Sequence, residues 1–473
     1  RQAYSGGAHL ETALDLAERG LNCGAQGAVK AELLVAATQA RIPLGRLEDA
    51  VRAAEQAAEL STPGSEIWAE ALCMAAVALT EIGRAAEGED RAARALAPGL
   101  VERLEAPTRL KLMAARVRGL VDLGKPREAL QLADQALVEA RALQSTEVLL
   151  RVLDARLFAS MQIAEPAEVV ANGPSLIDIA DSAGDVVLAT KSRINTASSM
   201  NLLGMWEEAR ILLDRALGDA RDRRMRILEA FALHNLGMCE ARLGLVERGL
   251  EMQRQAGKIA DETGAARLRV HARVYEAVLL LWREQQLRDE GRTNDGAELE
   301  AATALASYVE AEVRGLEALR PTGCFLLARV ALARHDHARA AAHARRAIEL
   351  VERTPVEEWE ELTHLTLVEA ELALGNVDAA HAALDAAFMV VCEHARRVPR
   401  LEQRNSYLGR VPEVREIVTL ARERLGRSLP FFAALPPLRP PGTRTQPPTG
   451  AADTTRPGPR VPNGGGPTGQ GGG

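Results

Sequence analysis

The strongest constraint on this chain is a period. Gly45, Gly83, Gly124, Gly204, Gly244 and Gly375 each end one apolar helical stretch and precede another, at intervals of 38, 41, 80, 40 and 131 residues. The 80-residue interval holds one further turn near Ala164-Glu165-Pro166, and the 131-residue interval holds one at His335, 40 residues before Gly375. The 91 residues between Gly244 and His335 then make two slightly long units, the first carrying the polar insertion from Arg288 to Asp295. A repeat of about 40 residues gives nine helical hairpins, with half of another at the N-terminus. A chain built this way needs no single closed core, so its 473 residues do not have to divide into globular domains.

Small residues recur in register with these turns. Five residues beyond the turn stand Ala50, Gly88, Ala129, Ala209, Gly249, Ala340 and Ala380; twelve beyond it stand Ala57, Ala95, Ala136, Ala216, Ala256, Ala347 and Ala387. Only the unit turning at Ala164 departs, with Val169 and Leu176 at those places. Two helix backbones that approach closely at a fixed crossing require small side chains there. The composition agrees: hydrophobic residues are 47% of the chain and aromatics only 3%, so the apolar content is mostly Ala and Leu and favours helices.

With a small residue late in the first helix, a turn Gly and two small residues in the second, the sequence resembles the tetratricopeptide repeat family. The best single match is Leu236-Gly237, Gly244, Gly249 and Ala256, and the resemblance covers roughly residues 8 to 395. The period of 40 is longer than the family's usual 34, and the aromatic of the first helix is frequently missing. Longer helices of this kind resemble those in regulatory regions of bacterial multidomain signalling ATPases, kinases and transcription activators. A second, shorter stretch, Asn405-Ser406-Tyr407-Leu408-Gly409-Arg410-Val411-Pro412-Glu413 running on to Ile417 and Leu420-Ala421-Arg422, is similar to the segment that closes the repeat region of large bacterial serine/threonine kinases carrying an ATPase module.

The expected organisation is all-α: residues 1–25 as half of a preceding hairpin, 26–395 as a superhelical solenoid of about nine hairpins, 396–429 as a capping helical segment and 430–473 as a disordered tail. Pro412 suits a first helical turn, and Val414, Ile417, Val418 and Ala421 recur at helical spacing. The tail contains eleven Pro and ten Gly among 44 residues, too little apolar surface to fold, and Pro437-Leu438-Arg439-Pro440 within it reads as spacer. Opening at Arg1 inside half a hairpin, the chain is expected to be the C-terminal piece of a longer protein. In such a solenoid each hairpin is expected to touch only its neighbours.

No catalytic set is legible. Of five lysines only Lys191-Ser192 has a phosphate-loop dipeptide, but Ala189-Thr190 precede it within a helix, and the kinase loop triplets are missing from the sequence. The net charge of −7, from 58 basic and 65 acidic residues spread along the chain, leaves no basic stripe for nucleic acid. Cys23, Cys73, Cys239, Cys324 and Cys392 are far apart and fall within apolar helical patterns, the spacing of reduced, buried thiols in a cytoplasm. His335, His337 and His343 have no Cys or spaced carboxylate to complete a metal site, so neither metal nor cofactor is expected. Acidic pairs such as Glu207-Glu208 and Glu357-Glu358 are read as helix starts, where they meet the positive end of the dipole. No apolar run is long enough to cross a membrane.

One candidate site stands out. Asn195 and Asn235 lie 40 residues apart, each nine before its turn, with Lys191, Ser198, His234 and Met238 on neighbouring turns of the same faces. In the family that the chain resembles, this position lines the concave groove, where an Asn amide can hold an extended peptide by its backbone. The competing reading is that both amides bond within the helical stack. The function that follows is protein–protein recognition by a regulatory or sensor region, with a protein or peptide in the groove as partner; the alternative is the end of a serine/threonine kinase with an ATPase module, whose upstream catalytic domains would be partners in the same polypeptide.

Overall fold

The structure is a computed structural model and describes residues 9–163, 165–292, 296–353 and 358–429. Among these residues all regular structure is helical. Helix α1 (Leu10–Asn22) is followed by nine hairpins: α2 (Gly27–Arg41) with α3 (Leu47–Glu59), α4 (Glu66–Glu81) with α5 (Ala85–Ala95), α6 (Ala106–Asp122) with α7 (Pro126–Ala142), α8 (Thr146–Met161) with α9 (Pro166–Ser182), α10 (Val186–Leu202) with α11 (Trp206–Asp222), α12 (Arg226–Arg242) with α13 (Val246–Thr263), α14 (Ala266–Asp289) with α15 (Ala297–Glu312), α16 (Arg320–Ala333) with α17 (His337–Arg353), and α18 (Glu360–Ala373) with α19 (Val377–Arg397). Helices α20 (Leu401–Arg410) and α21 (Pro412–Leu425) follow. The turn at Ala164, part of the insertion at Thr293–Asp295, Glu357 and the tail from Pro430 lie outside the described residues.

The hairpin turns show why glycine recurs there. At each described turn the residue has positive φ, from 72° at Gly204 to 92° at Gly244, and at His335 the same conformation is taken by a non-glycine at 59°. The next amide then reaches back five residues to a carbonyl of the helix just ended, as in Arg84 N to Leu79 O and Lys125 N to Leu120 O, both 2.8 Å. This bond satisfies an otherwise orphaned carbonyl and reverses the chain.

The small residues lie at the crossings. A methyl group added at Gly88 would stand 2.8 Å from Ala76 O, and one at Gly249 would stand 2.5 Å from Gly237 O, so the second helix crosses the first against its bare backbone. The alanines at both repeat positions are at most 1% exposed. In α9, Val169 and Leu176 occupy those positions because the close approach has moved to the following helix: a methyl at Gly173 would meet Thr196 Oγ1 of α10 at 2.1 Å.

The expectation that hairpins touch only their neighbours is incorrect. Leu10, Leu14 and Leu44 share one apolar cluster with Trp206, Leu233 and Leu268. Arg224 bonds Glu11 across 213 residues, Arg410 bonds Glu207 across 203, and Arg267 bonds Asp122 across 145, at 2.8, 2.7 and 2.6 Å. Separations near 200 residues amount to about five repeats, so successive turns of the superhelix rest on one another. A further correction concerns Cys23, which ends α1 and is exposed, because helix α1 stops one residue before it.

Candidate functional site

The inner faces of the first helices of the hairpins enclose a channel of about 360 Å³. Its wall comes from α2, α4, α6, α8, α10, α12 and the start of α14, closed by Leu319 and Glu358. The second helices are absent from this wall because their small residues pack them behind the first. Ile42, Val77, Phe158, Ile194 and Phe231 supply apolar surface. The basic residues of the wall are matched: Lys111 with Glu147 at 2.7 Å, Arg151 with Asp185 at 2.9 Å, Arg267 with Asp122 at 2.6 Å, and Lys191 with Asp154. Arg118 stacks 4.3 Å above the Phe158 ring and stands 3.6 Å from Glu81.

Of the six residues singled out by the repeat, all but Met238 line this channel, in different states. Asn195 lines the channel and makes no hydrogen bond among the described residues; Ser198 lines it likewise. Asn235 donates its amide to Phe231 O, one turn back in its own helix, at 2.9 Å. Lys191 is tied to Asp154, and burial, with Arg118 close by, lowers its ammonium to about 8 despite that partner. His234 is locked by Gln253, its Nδ1 2.9 Å from Oε1 while Gln253 Nε2 donates to its carbonyl at 2.7 Å. Burial, reinforced by His271, brings its imidazole down to about 4 and keeps it neutral. Met238 faces a second, smaller pocket.

That pocket, about 80 Å³, opens beside the channel and shares Ser198, Asn235 and Glu358 with it. The C-terminal helices seal it. Arg242 at the end of α12 makes a two-pronged pair with Glu413 of α21, at 2.6 and 2.9 Å, and its guanidinium lies 4.6 Å from the Trp282 ring. His394 and the Tyr407 hydroxyl both bond Glu361, at 2.8 and 2.6 Å. Burial alone would raise the Glu361 carboxyl, but these partners hold it at about 2; burial alone would lower His394, but Glu361 and Glu360 raise it to about 10.

Glu207 and Glu208 stand in the first turn of α11, as the reading of acidic pairs as helix starts has it, but Glu358 departs from it. It precedes α18 in a turn where Trp359 takes φ of 72°, which directs the carboxylate inward. Tyr275 donates its hydroxyl to Glu358 Oε1, and the Trp359 ring lies between Tyr275, at 4.9 Å, and Phe325, stacked at 5.0 Å. Tyr275 stands one repeat of 40 residues after Asn235, and Phe325 stands ten residues before the turn at His335, as His234 does before Gly244, but Glu358 and Trp359 lie in a connecting turn for which the period carried no signal.

No family model matches the chain, and no curated protein sequence does. Solved structures do. The Rap protein complexed with competence and sporulation factor superposes with a TM-score of 0.53 at 12% identity, over 84% of this chain and 99% of that one. The fold is a tetratricopeptide-type helical solenoid. Two looser matches are a signal transduction ATPase with a tetratricopeptide repeat sensor from Pyrococcus horikoshii, at TM-score 0.43, 14% identity and coverage of 77% and 55%, and human IFIT1 with PPP-AAAA, at 0.45, 14%, and 88% and 94%. The tetratricopeptide solenoid explains why repeat positions converge on one interior: equivalent residues of successive first helices point into it.

Proposed function

We propose that this chain is a protein-interaction module whose channel takes an extended polypeptide segment. The observation that carries the reading is Asn195, a channel-lining amide with no side-chain hydrogen bond among the described residues, set between apolar patches in a wall whose Lys and Arg residues face carboxylates. A backbone supplies the alternating donors and acceptors that a free amide needs, whereas a nucleic acid would need unpaired cations. The Rap protein, of like fold, is seen with competence and sporulation factor, so this kind of solenoid can serve as a receptor. The wider role we assign is the regulatory or sensor region of a bacterial signalling protein in the cytoplasm, without catalysis of its own. The stretch Asn405–Arg422 also favours the second reading, a C-terminal region of a serine/threonine kinase with an ATPase module. Among the described residues, no helix is long and apolar enough to cross a membrane.

The test is titration of the chain with random hexapeptides, comparing wild type with the variant carrying Asn195→Ala and Asn235→Ala. The variant should bind about 1–3 kcal/mol more weakly, because polar groups of the peptide are left unmatched. Since only Asn235 is bonded internally, Asn195→Ala alone should melt like wild type. A double variant that melts far lower but binds normally would end the groove reading.

A further inference from the structure

One carboxylate of the small pocket is less fully matched than the others. Of the three carboxylates lining it, Glu413 is held by Arg242, and Glu361 by His394 and Tyr407. Glu358 has no Arg or Lys partner among the described residues; Oε1 accepts the Tyr275 hydroxyl, while Oε2 is buried without a hydrogen bond. His271 Nδ1 stands 3.5 Å from that oxygen, a long contact that becomes an ion pair only when the imidazole is protonated. Burial would raise the Glu358 carboxyl, but His271 and Tyr275 bring it to about 2, so it is ionised at neutral pH.

Other acceptors belong to residues that line the same space. Asn201 uses its amide nitrogen on Asn235 O, at 3.1 Å, and leaves Oδ1 buried without a partner. Asn235 uses its own amide nitrogen on Phe231 O, which leaves the side-chain oxygen. The rings of Tyr275 and Trp359 complete the wall, and the Trp359 indole nitrogen, in a residue only 9% exposed, is a buried donor without a partner. A buried carboxylate is retained where a cation completes it, and amide oxygens beside aromatic rings suit the donors and charge of a protonated amine. At ~10–15 Å³ per water, a pocket of this size has room for several waters or for the end of an aliphatic amine.

Resting on the channel reading above, we propose that this pocket binds an ammonium group of the polypeptide in the channel, with Glu358 Oε2 as counter-charge and Asn201 Oδ1 as second acceptor. The Trp359 N–H, a donor without a partner, would donate to a carbonyl of the same peptide. The amine can come from the peptide's N-terminus or from a lysine side chain, and both supply three donors on one tetrahedral cation.

The experiment uses the full chain and three random hexapeptide pools: free N-termini without lysine, acetylated N-termini without lysine, and acetylated N-termini with one lysine. Retention is read by mass spectrometry and affinity by calorimetry. Enrichment from the first pool but not the second identifies the N-terminus as the source; enrichment from the third but not the second identifies lysine. In either case Glu358→Gln should weaken the enriched peptides roughly 10- to 100-fold, the range for a lost charged hydrogen bond. Equal enrichment of the acetylated, lysine-free pool, unaffected by Glu358→Gln, overturns the proposal and leaves the channel reading standing. No enrichment from any pool overturns both. Should Glu358→Gln fail to fold, Asn201→Ala carries the test, and undiminished affinity for amine peptides overturns the proposal.

Discussion

Gly249 and Gly218 give the sharpest test of the hairpin crossing, because the same substitution should act in opposite directions in neighbouring repeats. Gly249 lies in α13, where an added methyl group would stand 2.5 Å from Gly237 O, 3.0 Å from Ala241 Cβ and 3.1 Å from Leu279 Cδ1. Ordinary contact begins at 3.4 Å, so α12 and α13 must part by about 0.9 Å, the difference between 3.4 and 2.5. Overpacking of that kind costs about 1–3 kcal/mol, against about 1 kcal/mol gained when Ala replaces Gly within a helix. Gly218 is exposed in α11 with nothing within 4 Å of the added methyl, so Gly218→Ala keeps the gain alone. Subtracting one variant from the other removes the propensity term and leaves the crossing, worth about 1–3 kcal/mol in favour of Gly218→Ala. Urea unfolding by circular dichroism measures the difference, and hydrogen exchange of the α12 and α13 amides localises it. If Gly249→Ala is as stable as Gly218→Ala, the crossing is not where we place it.

Further outcomes follow from the C-terminal helices. Arg242→Ala should cost about 3–5 kcal/mol locally, because it strands Glu413 in a site where both partners are only 12% exposed; limited proteolysis near residues 400–425 should accelerate, and an unchanged rate would refute the tie. Removing residues from Leu401 onward should lower the melting transition by uncovering the faces that meet Tyr407, Leu408, Val414 and Ile417, while removing residues 430–473 should leave it unchanged; equal melting of both truncations would contradict this. His394 has its folded pKa raised from 6.5 to about 10, so its stabilisation is complete below 6.5 and lost as pH rises through about 10. Its partner Glu361, lowered from 4.5 to about 2, contributes above 4.5 and loses that contribution as pH falls towards 2. The melting deficit of His394→Gln should therefore be largest between about pH 4.5 and 6.5 and shrink towards pH 10; a deficit independent of pH would show that the pair is not charged.

The turns and crossings were legible because each is a local backbone demand that only certain residues meet. Gly244 supplies a left-handed φ, and Gly249 tolerates a carbonyl 2.5 Å from where its Cβ would be. The α9 unit was opaque for the same reason: its demand passed to Gly173, off the repeat register. Ties such as Arg267 to Asp122 link residues 145 apart, and no local pattern encodes a partner at that distance. At the site, the repeat brought Asn195 and Asn235 to the interior, but not the internal bond that occupies one of them. Glu358 was read as a helix start because acidic residues are common there; its inward turn depends on the left-handed backbone of Trp359 and the rings on either side, which the spacing of charges does not report.

The contacts between superhelical turns have a mechanical consequence. A coil whose turns stand apart stretches gently, each hairpin yielding a little, and would fray from its ends under load. Here Glu11, Asp122 and Glu207 are each clasped by a residue several repeats further along, so a pull along the axis meets rungs in parallel before it reaches any single hairpin. In an optical trap this molecule should lengthen little at first, then release a whole turn at once.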